Sequence, residues 1–206
     1  MSSFQTEQEA FWAGEFGDEY ICRNPSDKEM GARLALFSKI MSRTDGVKSA
    51  IEFGANIGNN LKVLRQIFPS MELAAIEIND RAAAVLEKWG KSQVYHQSIL
   101  EFNPDRQHDF VFISGVLIHI NPDMLQRVYD RLYAASRRYI CLIEYYNPTP
   151  VEVSYRGHSG RLFKRDFAGE LLERFDGLKL VDYGFIYHRD SNFPLDDLTW
   201  FLLEKR

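Results

Sequence analysis

The sequence is poor in the features that mark secreted, metal-bound or membrane-embedded proteins. It carries only two cysteines in 206 residues, Cys22 and Cys141, far apart in the chain. They form no metal-ligand or redox motif and predict reduced, buried thiols in a cytoplasmic protein. No apolar run approaches the roughly 20 residues that cross a bilayer. The longest, around Phe110–Ile118, is broken by Ser114 and Gly115. A secretory leader is not expected, because the first basic residue is Arg23 and five acids precede it. Basic excess is also missing. Lys and Arg number 25 against 29 Asp and Glu, a net charge of −4, so nothing points to a general nucleic-acid binder. The base-flipping block Asn/Asp-Pro-Pro-Tyr is absent too. Its nearest string, Tyr146 to Thr149, lacks the second proline and the aromatic.

What is present suits one globular domain. Apolar residues make up 45% and charged residues 26%, and 15 Phe, 10 Tyr and 3 Trp supply a sizeable core. We expect a single domain over 1–206, with residues 1–44 as a helical cap in front of a core over 45–206. Thr6 with Glu9, and Ser26 with Glu29, form capping boxes that start two helices. Between them, Gly14–Tyr20 reads as a loop. Apolar strands then alternate with helices: Val47–Phe53, Leu73–Ile78, Val94–His96, Asp109–Ser114 and Tyr139–Glu144 are the strands. Such alternation means βαβ units, a mainly parallel sheet and helices on both faces. After a helix near Asp166–Phe175, two β-like runs, Leu178–His188 and Leu198–Leu203, are joined by too short a linker for a crossover. They should pair antiparallel.

The chemistry concentrates in Ala50–Asn60. A strand carries Glu52 near its end, Gly54 and Gly58 follow, and a helix begins. Glycine there permits positive φ and lets a ligand approach the backbone. The dinucleotide fingerprint G-x-G-x-x-G is not met, since Asn56 and Asn59 hold its second and third glycine positions. A pyrophosphate cradle is therefore disfavoured. Glu77 ends the next strand, 23 residues after Gly54. An acid there suits both hydroxyls of an adenosine ribose. Ser98, after the third strand, and Ser114 and Gly115, after the fourth, complete a candidate nucleoside site.

With Glu52-Phe53-Gly54, Asn56, Gly58 and Asn59 in order, an acid-ended second strand and the block from Asp109 to Pro122, the chain resembles the class I S-adenosylmethionine-dependent methyltransferases. More narrowly it is similar to the pseudaminic acid biosynthesis-associated methylases, over nearly its whole length, including Glu7–Tyr20. The resemblance implies a Rossmann-like, seven-stranded sheet with an antiparallel carboxyl-terminal strand pair. It implies S-adenosyl-L-methionine as cofactor, with Glu52 to Gly58 around its methionine and ribose, Glu77 on the ribose hydroxyls and Ile78 against the adenine. Ile99 would supply a backbone amide to the ring. Ser98 stands where many relatives carry an acid for the adenine amino group, and Asn56 replaces a common glycine, either to bond the cofactor or to cap the next helix.

Methyl transfer is an in-line displacement, and a hydroxyl acceptor also needs a base. His119 is the first candidate, with Glu144 and Tyr20 beside it, and Glu144 is alternatively an acceptor ligand. Val151–Arg165 is rich in basic residues against the single acid Glu152, so Arg156, His158 and Arg161, with Tyr146, are the candidate acceptor site. The expected acceptor is an anionic sugar or sugar nucleotide of the pseudaminic (nonulosonic) acid pathway, with neither nucleic acid nor membrane as partner. A non-catalytic cofactor-binding partner protein and a nicotinamide-dependent oxidoreductase are the competing classes.

Overall fold

The computed structural model describes residues 4–21 and 27–206. Cys22 and the Ser26 half of the second capping box lie outside them. The chain begins with three helices, α1 (Glu7–Ala13), α2 (Glu15–Ile21) and α3 (Asp27–Met41). The alternating core follows: β1 (Ser49–Phe53), α4 (Asn59–Ile67), β2 (Glu72–Glu77), α5 (Asp80–Trp89), β3 (Gln93–His96) and β4 (His108–Ser114). Two short 3₁₀ turns, Leu117–His119 and Pro122–Met124, lead into α6 (Leu125–Ala135) and β5 (Ser136–Glu144). A small hairpin of β6 (Val151–Glu152) and β7 (Phe163–Lys164) precedes α7 (Phe167–Arg174), β8 (Leu178–Phe185) and β9 (Thr199–Lys205).

The seven-stranded sheet has the order β3-β2-β1-β4-β5-β9-β8. β1 to β5 run parallel, and β9 enters antiparallel between β5 and β8. Strand alternation sends side chains to two cores. Val111 and Ile113 join Val128, Tyr129 and Leu132 of α6 on one face, while Phe110 and Phe112 meet Phe37 and Ile40 of α3 and Leu61 and Leu64 of α4 on the other. Local signals fix the helix ends. Asn79 accepts from the Ala82 amide to start α5, Gly90 closes it at φ 66°, and Asp166 accepts from the Gly169 amide to start α7. In β8 the register slips between Leu180 and Asp182, a bulge on the edge strand. Among the described residues, no helix is long and apolar enough to cross a membrane.

One expectation is corrected here. Gly14–Tyr20 is not a loop: Gly14 caps α1 in an extended conformation, and Glu15–Ile21 is helical. Gly17 does not break α2, because it lets α2 lie against the end of α1. A Cβ at Gly17 would stand 1.9 Å from the Trp12 carbonyl oxygen. Phe16 and Tyr20, one helical turn apart, close edge-on around Trp12 at 5.3 and 5.4 Å between ring centres. The first capping box is complete, with Thr6 Oγ accepting from the Glu9 amide and the Glu9 carboxylate accepting from the Thr6 amide. The basic segment is a hairpin lying against this helix pair. The Gln8 side-chain amide donates to the Gly160 carbonyl at 3.0 Å, and Phe11 meets His158 at 5.2 Å.

The close approach at Gly17 yields a test. Gly17→Ala should push α2 away from Trp12, and amide exchange over residues 7–21 should accelerate while exchange in β1 and β4 is unchanged. Equal exchange in both proteins would show that the contact is not what holds the cap.

Candidate active site

A cavity of about 440 Å³ opens at the carboxyl ends of β1, β2 and β4, under α1 and α2. That size falls within the roughly 300–1,000 Å³ of small-molecule and cofactor sites. Its floor is the turn after β1, held by the Gly54 and Ala55 amides, which both donate to the Ile76 carbonyl. Gly54 has φ 75°, and a Cβ there would meet Val116 at 2.7 Å. Gly58, at φ 77°, is the N-cap of α4, and its missing Cβ leaves room for Leu86. Gly58 therefore serves helix packing and does not line the cavity.

Of the other residues expected at a cofactor, Glu52, Gly54, Asn56, Glu77, Ile78, Ser98, Ile99, Ser114 and Gly115 all line it. Asn56 does not cap α4. Its backbone, at φ 47°, turns its amide onto the Glu77 carboxylate at 2.6 Å, and its buried side-chain oxygen has no partner among the described residues. The other Glu77 oxygen accepts from the Asn79 amide at 2.8 Å. Burial pushes the Glu77 carboxyl up, against the pull of these amides.

Glu52 is buried more completely. One of its oxygens accepts from Asn60 Nδ2 at 2.6 Å, and the other has no partner among the described residues. Asn60 in turn accepts from Arg33 at 2.7 Å. Desolvation raises the Glu52 pKa to about 8, with Asn60 and Arg33 pulling down and the Glu77 charge adding to the rise.

The residues expected to do the chemistry divide. His119, Tyr20 and Arg156 line the cavity, whereas Glu144, Tyr146, His158 and Arg161 do not. Leu142, Glu144 and Tyr146 share strand parity and line a separate small cleft. Glu144 instead accepts from the Val116 and Leu117 amides, both at 3.0 Å, and so holds the turn that leads to His119. Burial raises its pKa to about 7. Tyr146 rests on Phe201. Arg161 lies over the Phe11 ring and pairs with Glu7 at 3.3 Å, so it fastens the hairpin to the cap. His158 packs edge-on against the stacked rings of Phe11 and Phe16.

His119 Nδ1 lies 2.6 Å from the Arg161 carbonyl oxygen. A carbonyl only accepts, so Nδ1 carries the hydrogen and Nε2 holds the lone pair. The ring sits between Trp12 and Tyr155, at 4.7 and 4.9 Å. Burial lowers its pKa to about 4, partly offset by the carbonyl.

Sequence reasoning missed Glu9, Arg33 and Asn60 as cavity residues. Asn60 sits two residues past Gly58 and was within reach of the motif. The first two come from the amino-terminal helices, and only the tertiary fold brings them to the sheet edge. Among the described residues, no cluster of three or more His, Cys, Asp or Glu is placed to hold a metal ion.

No protein-family model matches the chain, and no curated protein sequence does. Solved structures match it in fold. A 1,6-didemethyltoxoflavin-N1-methyltransferase from Burkholderia thailandensis, with bound S-adenosylhomocysteine, is 14% identical at a TM-score of 0.73 over 100% of this chain and 92% of that one. A magnesium protoporphyrin IX methyltransferase from Synechocystis PCC 6803 is 11% identical at 0.70, over 96% and 98%. The plantazolicin methyltransferase BpumL is 13% identical at 0.67, over 97% and 94%. The architecture is thus the Rossmann-like methyltransferase fold, as expected from the sequence. These three are named for chemically different acceptors, so the fold carries no information on the acceptor of this chain.

The strained acid gives a pH test. Folded protein holds the Glu52 proton up to about pH 8, against an ordinary value of 4.5. The folded state binds more protons in that window, so this group lowers stability as pH rises, by up to about 1.4 kcal/mol per unit. His119 and His108, both depressed to about 4, act in the opposite sense up to about pH 6.5. Comparing variants separates them. Glu52→Gln should gain stability relative to wild type between pH 5 and 8 in urea denaturation, and parallel profiles would count against a buried, protonated Glu52.

Proposed function

We propose that the protein is an S-adenosylmethionine-dependent methyltransferase acting on a small molecule. The observation that carries this is the pair of buried carboxylates, Glu52 and Glu77, at the ends of adjacent strands in one cavity. Beside the glycine turn these acids offer a diphosphate no cation, which speaks against a nicotinamide dinucleotide, and Glu52, protonated without a ligand, ionises when an ammonium meets it. The unpartnered Glu52 oxygen suits the ammonium of a methionine, and Arg33, bonded to Asn60 beside it, suits the carboxylate. Glu77 accepts from the Asn56 and Asn79 amides, one on each oxygen, with the Ile78 amide also facing it, and the remaining lone-pair positions suit ribose hydroxyls. Neighbours of the same fold, including one from Clostridium acetobutylicum described as S-adenosylmethionine-dependent, support the cofactor.

S-adenosylmethionine supplies a methyl group carried on a positively charged sulfur. The chain's own groups then bind and align the acceptor and take its proton. His119 is the base. Its Nδ1 hydrogen is held by the Arg161 carbonyl, so Nε2 accepts a proton from an acceptor hydroxyl. Trp12 and Tyr155 fix the ring and exclude water. Tyr20 borders the same space, and Arg156 offers a guanidinium to an anionic acceptor. An acidic sugar or sugar nucleotide of the nonulosonic type fits Arg156 and the family resemblance. A base and a cation sharing the cofactor's cavity favour an enzyme over a non-catalytic binding protein.

Two measurements test this. In calorimetric titration the protein should bind S-adenosylhomocysteine and not nicotinamide dinucleotides, and Glu77→Ala should lose roughly 1–3 kcal/mol of that binding. Unchanged affinity in the variant would remove Glu77 from the site. The acceptor is then sought among charged sugars and sugar nucleotides by product mass spectrometry. With it in hand, His119→Ala should lower kcat by roughly 10²–10⁴ on a hydroxyl acceptor. The wild-type acid limb of kcat/KM should fall near pH 4 rather than 6.5. Arg156→Ala should raise KM for an anionic acceptor and leave S-adenosylhomocysteine affinity alone.

A further inference from the structure

The cavity has two chemically different ends. Across the strand ends in the order β4, β1, β2, β3, it runs from Ser114 past Glu52 and Glu77 to Ser98 and Ile99. The β1 end is charged, with Glu52, Asn60 and Arg33. The β3 end is walled by Ile78, Ile99 and Leu100, and among the described residues its charged group is Glu9 of α1. An amino acid fits the first end and a flat purine the second. On the cofactor assignment above, the base therefore lies beside Ser98.

Ser98 has no proton to offer that base. Its hydroxyl oxygen accepts from the Leu100 amide at 3.0 Å, and its single hydrogen is donated to the Glu9 carboxylate. The acceptor at this end is thus Glu9, buried at 8% exposure yet lining the cavity. A carboxylate has about four lone-pair positions. The Gln5 and Thr6 amides occupy one oxygen, at 2.6 and 3.1 Å, and Ser98 takes a single position on the other. One position remains.

We propose that this remaining position on Glu9 accepts the 6-amino group of the adenine, so that the base is read by the cap helix α1 rather than by the loop after β3. Ser98 is a positioning residue that aims the carboxylate. A 6-oxo purine would turn its own oxygen towards Glu9 and be rejected. The proposal rests on the cofactor assignment above, and its test separates the two.

S-adenosylhomocysteine and its 6-oxo analogue, S-inosylhomocysteine, are titrated calorimetrically against wild type, Glu9→Gln and Thr6→Ala. Gln is accepted in a capping box, so Glu9→Gln keeps the helix start. Wild type should prefer the 6-amino ligand by roughly tenfold or more, the worth of one hydrogen bond to a charged acceptor. Glu9→Gln should lose or reverse that preference, because with its oxygen held by the Gln5 and Thr6 amides its NH2 donates to a 6-oxygen and cannot accept from a 6-amino group. Thr6→Ala, which loosens the cap and keeps the backbone amide that holds the Glu9 carboxylate, should weaken both ligands equally and keep the ratio. If Glu9→Gln keeps the wild-type ratio, or loses both ligands by the same factor, Glu9 is only a helix cap and the proposal fails. If wild type binds neither ligand, the cofactor assignment falls, and this proposal with it.

Discussion

Two carboxylates without water are the constraint around which the sheet edge is built. Glu52 and Glu77 end neighbouring strands where parallel packing has excluded solvent, and among the described residues neither has a salt-bridging cation in contact. The fold meets the cost with dipoles instead. The Asn56 and Asn79 amides point at Glu77, and the Asn60 side chain points at Glu52 and is itself backed by Arg33. Even so, Glu52 keeps a bare oxygen and an elevated pKa. An acid left in that state is incompletely satisfied by its own chain, and a ligand donor would complete it. The positive φ of Asn56 belongs to the same arrangement, since that conformation turns its amide inward.

The cap and the hairpin form a roof from parts remote in sequence. Arg161 is tied to Glu7 and lies over Phe11, and its own carbonyl fixes the His119 tautomer. One residue thus joins α1, the hairpin and the proposed base without entering the cavity. Glu144 does the matching work from below, through the Val116 and Leu117 amides. Both were expected to meet substrate, and both lie outside the cavity lining, bonded to the segment or ring of His119.

How much was legible follows from the range of the interactions. The βαβ alternation, the Asn79 and Asp166 caps and the Thr6–Glu9 box depend on residues a few positions apart, so the sequence displays them. The acid-ended strands and the glycine turn are also local, and nine expected cofactor residues line one cavity. Alternation along β5 already placed Glu144 and Tyr146 on the same face, a clue that period-2 reasoning could have used. Glu9 and Arg33 reach the cavity only by tertiary packing, which no local pattern records. Gly17 misled because glycine between two aromatics looks like a turn, whereas here it permits two helices to touch.

The bulge in β8 bears on how the molecule behaves among its own copies. β8 is the outermost strand, and Leu180, Val181, Tyr183 and Phe185 on it are exposed. A flat apolar edge of that kind templates sheet growth from one molecule to the next. The extra residue between Leu180 and Asp182 breaks the regular spacing of amides and carbonyls that such growth requires, and it twists the strand locally. Asp182 beside it is paired with Arg43 at 2.9 Å and places charge at the irregular point. The sheet can therefore carry exposed aromatics on its last strand while that edge remains a poor template for fibrils.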